Sequence, residues 1–135
     1  MQVLIVEDTQ TIATLVKIYL MGWNLTFLDA KDGMQGLAMA RASKPDLVIS
    51  DVRMPRMDGF ELCAALRADK DLHAVPVLLL TSLQDEVSRQ KGRLVGATAF
   101  VKKPVALDEL RAIVCELLHL APKGGAADSA HKPPS

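Results

Sequence analysis

Val3-Leu4-Ile5-Val6-Glu7-Asp8 begins with four consecutive branched apolar residues and stops on two acids. Strict alternation would mark a strand with one face in water, whereas an unbroken run of this length marks a strand covered on both faces. The arrangement recurs along the chain. Asp46-Leu47-Val48-Ile49-Ser50 is followed by Asp51, Val75-Pro76-Val77-Leu78-Leu79-Leu80 by Thr81, and Ala99-Phe100-Val101-Lys102 by Lys103 and Pro104. Leu25-Thr26-Phe27-Leu28 is a further, less apolar strand.

Helical patterns fill the intervals. Ile12, Leu15, Val16, Tyr19 and Leu20 recur at the spacing of one helix face, and Gly22 is placed to end that helix. A small-residue helix covers Met34 to Ala42 and breaks at Lys44-Pro45. Asp58 and Glu61 form a capping box for a helix reaching about Ala68. A weaker helix covers about Asp85 to Leu94. The last runs from about Leu107 to Leu120, with Asp108 and Glu109 in its first turn and Leu107, Leu110, Val114, Leu117 and Leu118 on its buried face. Strands that alternate with helices predict an α/β fold, a parallel sheet with helices on both sides.

Composition narrows the function. The chain has 135 residues, half of them apolar, which suits one domain burying roughly 70% of its unfolded surface. Sixteen basic residues balance sixteen acidic ones. That balance argues against direct nucleic-acid binding, which draws its affinity from excess Lys and Arg. Tyr19, Trp23, Phe27, Phe60 and Phe100 are too few aromatics for a base-stacking platform. No apolar run approaches the length that spans a bilayer, and the acid at position 7 interrupts any signal-peptide pattern, so a cytoplasmic location without membrane insertion is expected. Cys63 and Cys115 match no metal spacing and read as buried, reduced thiols. From Ala121 to Ser135 no large apolar residue occurs, and the segment reads as a flexible tail or a truncated linker after a domain of residues 1–120.

In parallel α/β sheets, ligands bind beyond the carboxyl ends of the strands. Those ends here carry Glu7, Asp8, Asp51, Thr81 and Lys103. Each has an ordinary structural reading: Asp8 or Thr81 as a helix cap, Asp51 as a turn opener, Lys103 as a solvated edge residue. Together they make a chemical set. Three gathered carboxylates repel one another unless a cation sits among them, and oxygen ligands with few protein donors suit Mg2+. A carboxylate beside such a cation is a credible nucleophile toward phosphorus, with Lys and Thr holding phosphoryl oxygens.

On these motifs the chain resembles the receiver domains of two-component response regulators, most of all the stand-alone members similar to the chemotaxis regulator. The resemblance spans residues 1–120 and rests on Val3–Asp8, Pro45–Gly59, Leu80-Thr81-Ser82-Leu83, Gly96-Ala97 and Phe100–Pro104. It implies a doubly wound, flavodoxin-like three-layer sandwich with five strands in the order 2-1-3-4-5. It further implies that Asp51 is the phosphoacceptor for a sensor histidine kinase or phosphotransfer protein. Asp8 and Asp51 would hold Mg2+ with the backbone carbonyl of Arg53, and Glu7 would act through water on the metal. Lys103 would pair with a phosphoryl oxygen, the bond before Pro104 would be cis, and Lys102 would point to the opposite face. Thr81 and Phe100 would form the switch, altering a downstream protein's binding to the face made by the fourth helix, fifth strand and fifth helix. The chain would be a monomer or a phosphorylation-dependent dimer, with no chemistry beyond gain and loss of its own phosphoryl group.

Phe100 stands where tyrosine is frequent in the family, and bulky Arg53 and Leu83 predict slow loss of the phosphoryl group. Arg89, Lys91 and Arg93, beside Asp85 and Glu86, read as a solvated or partner-docking face; His73, His119 and His131 read as loop, helix-end and tail residues. A flavin carrier of the same topology would need a glycine in the Thr9-Gln10-Thr11 loop, where Glu7-Asp8 would repel an FMN phosphate, and a dehalogenase-like phosphatase would need an acid at Gln10. A docking module without phosphotransfer would normally have lost part of the five-residue set. A receiver cut from a longer regulator with a C-terminal output domain is the remaining alternative.

Overall fold

The computed structural model describes residues 1–82 and 86–120, without the side chains of 86–89. The expectations for Leu83, Asp85, the side chains of Glu86 and Arg89, and the tail with His131 lie outside the described residues. The elements alternate as β1 (Gln2–Val6), α1 (Gln10–Tyr19), β2 (Thr26–Ala30), α2 (Gly33–Ser43), β3 (Leu47–Asp51), α3 (Gly59–Ala68), β4 (Val77–Thr81), α4 (Glu86–Leu94), β5 (Ala99–Lys102) and α5 (Leu107–Leu118). All four strand pairings are parallel and the order is β2-β1-β3-β4-β5, as the resemblance implies. None of the described helices is long and apolar enough to cross a membrane.

The unbroken apolar runs divide between two cores because successive side chains leave a strand on opposite faces. Leu4, Val6, Val48, Val77 and Leu79 meet Leu37, Ala40, Leu62, Cys63 and Leu66 of α2 and α3. Val3, Ile5, Leu47, Ile49, Leu78, Leu80 and Val101 meet Val16, Leu20, Leu110, Val114 and Leu118 of α1 and α5. The chain reverses direction across the sheet between β1 and β3, so a crevice opens where those two strands end.

Local signals act where the sequence placed them. Asp58 accepts from Glu61 N while Glu61 accepts from Asp58 N, completing the capping box of α3. Lys44 ends α2 in the left-handed region, as the following Pro45 requires a break. Three expectations need correction. β2 runs on to Ala30 because it pairs with the whole of β1, and Asp29 is tolerated there through an ion pair with Lys17. Leu107 is 44% exposed, since a first-turn residue has helix neighbours on one side only. Cys115 is half-buried rather than buried, and its thiol donates to Leu120 O at 2.7 Å, whereas Cys63 is buried as expected.

One side chain ties the α3 end of the fold together. The Arg67 guanidinium donates to Gly96 O at 2.9 Å, Val75 O at 2.6 Å, His73 O at 3.1 Å and Thr98 Oγ1 at 3.2 Å. It joins α3 to the segments on either side of β4 and α4. Arg67→Met leaves several part-buried carbonyls without a donor and should cost about 2 kcal/mol, read as a lower urea midpoint at unchanged slope. Arg67→Lys should recover less than half of that, because one ammonium cannot span the planar fork's partners. A loss under about 0.5 kcal/mol for Arg67→Met, the level of an ordinary surface change, would refute the role.

Candidate functional site

Three strand ends and two loops bring the five sequence-predicted residues to one edge. β1 delivers Glu7 and Asp8 as the chain leaves the sheet, and β3 ends on Asp51. β4 ends on Thr81, whose carbonyl accepts from Lys103 N at 2.8 Å and so fixes where the chain passes after β5. The bond between Lys103 and Pro104 is cis. Lys103 turns inward, its Nζ 2.9 Å from Asp51 Oδ1 and 3.7 Å from Glu7 Oε1, whereas Lys102 is exposed.

Carboxylate oxygens of Glu7, Asp8 and Asp51 lie within 4.8 Å of one another. Glu7 is only 3% exposed, Asp51 is buried and Asp8 faces solvent. Glu7 Oε2 accepts from Thr9 N at 3.2 Å, but Oε1 is buried without a hydrogen-bond partner. An orphaned carboxylate oxygen of this kind is costly and uncommon. Burial, and secondarily the nearby Asp51 charge, raise the Glu7 pKa to about 7 despite the opposing pull of Lys103 and Thr9 N. The donor set is all oxygen, open on the Asp8 side, and short of positive charge, which fits a hard divalent cation that keeps part of its water shell.

The cap readings of Asp8 and Thr81 fail on position. Thr9, not Asp8, occupies the cap of α1, and α4 begins at Glu86, well beyond Thr81. Thr81 is buried at the edge of the sheet. Arg53 is exposed two residues beyond Asp51. Phe100 is partly buried against the α2–α3 core, and Lys91 of α4 places its ammonium 5.0 Å from the centre of the Phe60 ring.

The loop after Asp51 is held by contacts that strand patterns do not reveal. Arg56, at φ 70°, forms an ion pair with buried Asp32, which also caps α2 by accepting from Gln35 N at 2.8 Å. The Arg56 hydrogen bond, with the Gln35 amide, holds the Asp32 carboxyl below the usual range. Gly33 N donates to Met57 O at 3.1 Å, and a Cβ at Gly33 would lie 2.3 Å from that carbonyl. A Cβ at Gly59 would lie 2.4 Å from Asp51 O, so the helix after the loop reaches the acid's backbone only because it starts with glycine. The Asp-Gly pairs at 32–33 and 58–59 are the sequence signal for these close approaches; the Arg56 pairing has none, since its partner lies 24 residues away.

Known proteins resemble the chain in sequence and fold. The chain is 34% identical over 117 residues to the alkaline phosphatase synthesis transcriptional regulatory protein PhoP of Bacillus subtilis, covering 87% of this chain and 48% of that one. It is 29% identical to protein PilG of Pseudomonas aeruginosa, covering 82% of each. The structure of chemotaxis response regulator CheY4 of Vibrio cholerae superposes with a TM-score of 0.81 at 34% identity, covering 87% of this chain and 98% of that one. The chain spans about half the length of the transcriptional regulators it matches. The profile of the response regulator receiver domain matches residues 3–115, and with the acid cluster, the inward lysine and the 2-1-3-4-5 sheet already in place, the chain belongs to that family.

Proposed function

We propose that Asp51 accepts a phosphoryl group from a phosphohistidine on a sensor kinase or phosphotransfer protein, with Mg2+ held by Asp8, Asp51 and the Arg53 carbonyl and by Glu7 through water. The observation that carries this reading is the Asp51–Lys103 contact inside a three-carboxylate cluster that contains an unsatisfied buried oxygen. A carboxylate oxygen of Asp51 forms the new bond to phosphorus as the bond to the donor nitrogen breaks, and the imidazole leaves with that electron pair. Bound Mg2+ supplies charge neutralisation for the phosphoryl oxygens. Lys103, already at Asp51, meets one such oxygen, and the Thr81 hydroxyl meets another. The chain turns over no separate substrate; its chemistry is the gain and loss of its own phosphoryl group.

Signal output follows from the same edge. Thr81 and Phe100 belong to adjacent strands, with Leu79 opposite Phe100 and Thr81 opposite Lys102. Movement of Thr81 toward a phosphoryl group would open space on the side where Phe100 packs, and the α4–β5–α5 face would change its affinity for a protein partner. Relatives about twice as long as this chain have room for an output domain, and the same face would serve a domain on the same polypeptide.

A small acyl phosphate with Mg2+ should add one phosphoryl group to the intact protein, detected by mass spectrometry and mapped to Asp51. Asp51→Asn should abolish the adduct, and Lys103→Ala should slow its formation by about 100-fold. An adduct that persists in Asp51→Asn at the wild-type rate would defeat the assignment. Thr81→Ala should still accept the phosphoryl group but lose its phosphorylation-dependent partner binding; full retention of that binding would break the proposed coupling.

Glu7 makes metal-free stability pH-dependent. Its folded pKa lies near 7, above the ordinary 4.5, so its favourable contribution is complete below pH 4.5 and is lost as pH rises through 7. In a chelator, raising the pH from 5 to 8 should remove up to about 3 kcal/mol through this group. Millimolar Mg2+ should restore much of it, and Glu7→Gln should flatten the profile. Thermal melts across that range check the sign; a wild-type stability that rises from pH 5 to 8 in chelator and matches Glu7→Gln throughout would contradict it.

A further inference from the structure

Among the described residues, three other than glycine have positive φ: Lys44, Arg56 and His119. Lys44 and His119 cap the ends of α2 and α5, where the left-handed conformation is ordinary. Arg56 ends no helix. It is the middle residue of a three-residue turn closed by Met57 N donating to Pro55 O at 2.8 Å, and at φ 70° that turn takes its rarer, strained form. Glycine would adopt the conformation freely, so an arginine here needs a reason outside the backbone.

The reason is Asp32. The Arg56 side chain is 72% exposed, yet its guanidinium reaches an acid whose side chain is only 3% exposed. Strain of this kind persists where the surroundings fix it, and here the fixing comes from the start of α2. Asp32 takes the guanidinium, and the next residue, Gly33, donates to Met57 O at 3.1 Å. The other end of the loop is tied to the sheet: Val52 N donates to Leu80 O at 3.1 Å and Gly59 N to Val52 O at 2.8 Å. Arg53 lies in the short span between these two sets of ties. Where its carbonyl points depends on both ends of that span being held.

We infer that Arg56 is a positioning residue for the divalent cation: by fastening the strained turn to Asp32 it fixes the span that carries the Arg53 carbonyl, and so raises the affinity of the acid cluster for Mg2+. This deepens the proposed function and rests on its assignment of that carbonyl as a ligand. Charge alone predicts a different pattern. Arg56 is a cation on the loop that leaves Asp51, so its loss would tighten Mg2+ binding by simple Coulomb repulsion relieved, and only loss of the Asp32 charge would weaken it. Positioning predicts that either loss weakens binding by the same factor, and that the second adds nothing to the first.

Calorimetric titration of Mg2+ into the full chain, at pH 7, fixed ionic strength and well below each variant's melting temperature, tests this. Arg56→Met should weaken binding about 10-fold, the scale seen when a group that orients a metal ligand is lost. Asp32→Asn, which keeps a side chain able to cap α2, should weaken it equally. The double variant should also be about 10-fold weaker, not the roughly 100-fold of independent effects. Arg56→Gly replaces Arg56→Met should the latter fold poorly, because glycine accepts φ 70° and removes the same guanidinium, and the same loss is expected. Unchanged or tighter binding in the Arg56 variant overturns the inference, as do losses that multiply in the double variant. A chain that shows no saturable Mg2+ binding before any substitution would instead overturn the metal assignment itself, and this inference with it.

Discussion

Glu7, Asp8 and Asp51 are held closer than like charges tolerate, and Lys103 is the cation the structure sets between the two buried ones. A parallel sheet makes this possible, because it aligns the ends of its strands and covers both faces with helices. The acids are at the edge because the apolar runs of β1 and β3 stop there. The raised Glu7 pKa and its buried oxygen without a hydrogen bond are the measure of the resulting stress. Positive charge brought to the crevice would relieve that stress, which is why the proposed function assigns a divalent cation and then a phosphoryl group to it.

The remainder of the fold limits how this stress can relax. On one side of the sheet, α1 and α5 close over Val3, Ile5, Ile49 and Leu80. On the other, α2 and α3 close over Leu4, Val6, Val48 and Leu79. Packed interiors transmit displacement rather than absorb it. The loop after Asp51 is fixed to the start of α2 by Arg56 and Asp32, and to its own helix by the close approach at Gly59. Phe100 is different. It is partly buried against the α2–α3 core and lies against Gly92 of α4.

Much of this was legible from residue order. Each buried strand declared itself as an apolar run, and what followed each run was the site, because strand ends in a parallel sheet share an edge. The capping box at Asp58 and Glu61 was legible because its partners are three residues apart. Legibility failed where a partner is distant in the chain. Arg67 is one basic residue on a helix until its acceptors, up to 31 residues away, are folded around it. Arg56 and Asp32 likewise pair across 24 residues. Periodicity overstated Leu107 because it records direction around a helix and not whether a neighbour is present at that height. It understated β2, where pairing to β1, not apolar content, sets the length.

The central claim is that the acid cluster is completed by a divalent cation, and calorimetric titration of Mg2+ in two buffers of different ionisation enthalpy tests it most directly. With the Glu7 pKa raised to about 7, saturable binding near neutral pH should release protons, and the release should fall toward zero as pH rises well above 7. Asp51→Asn should weaken the binding. Titrations that show no saturable Mg2+ uptake, or uptake with no proton released at pH 7 and the same affinity in Asp51→Asn, would contradict the account.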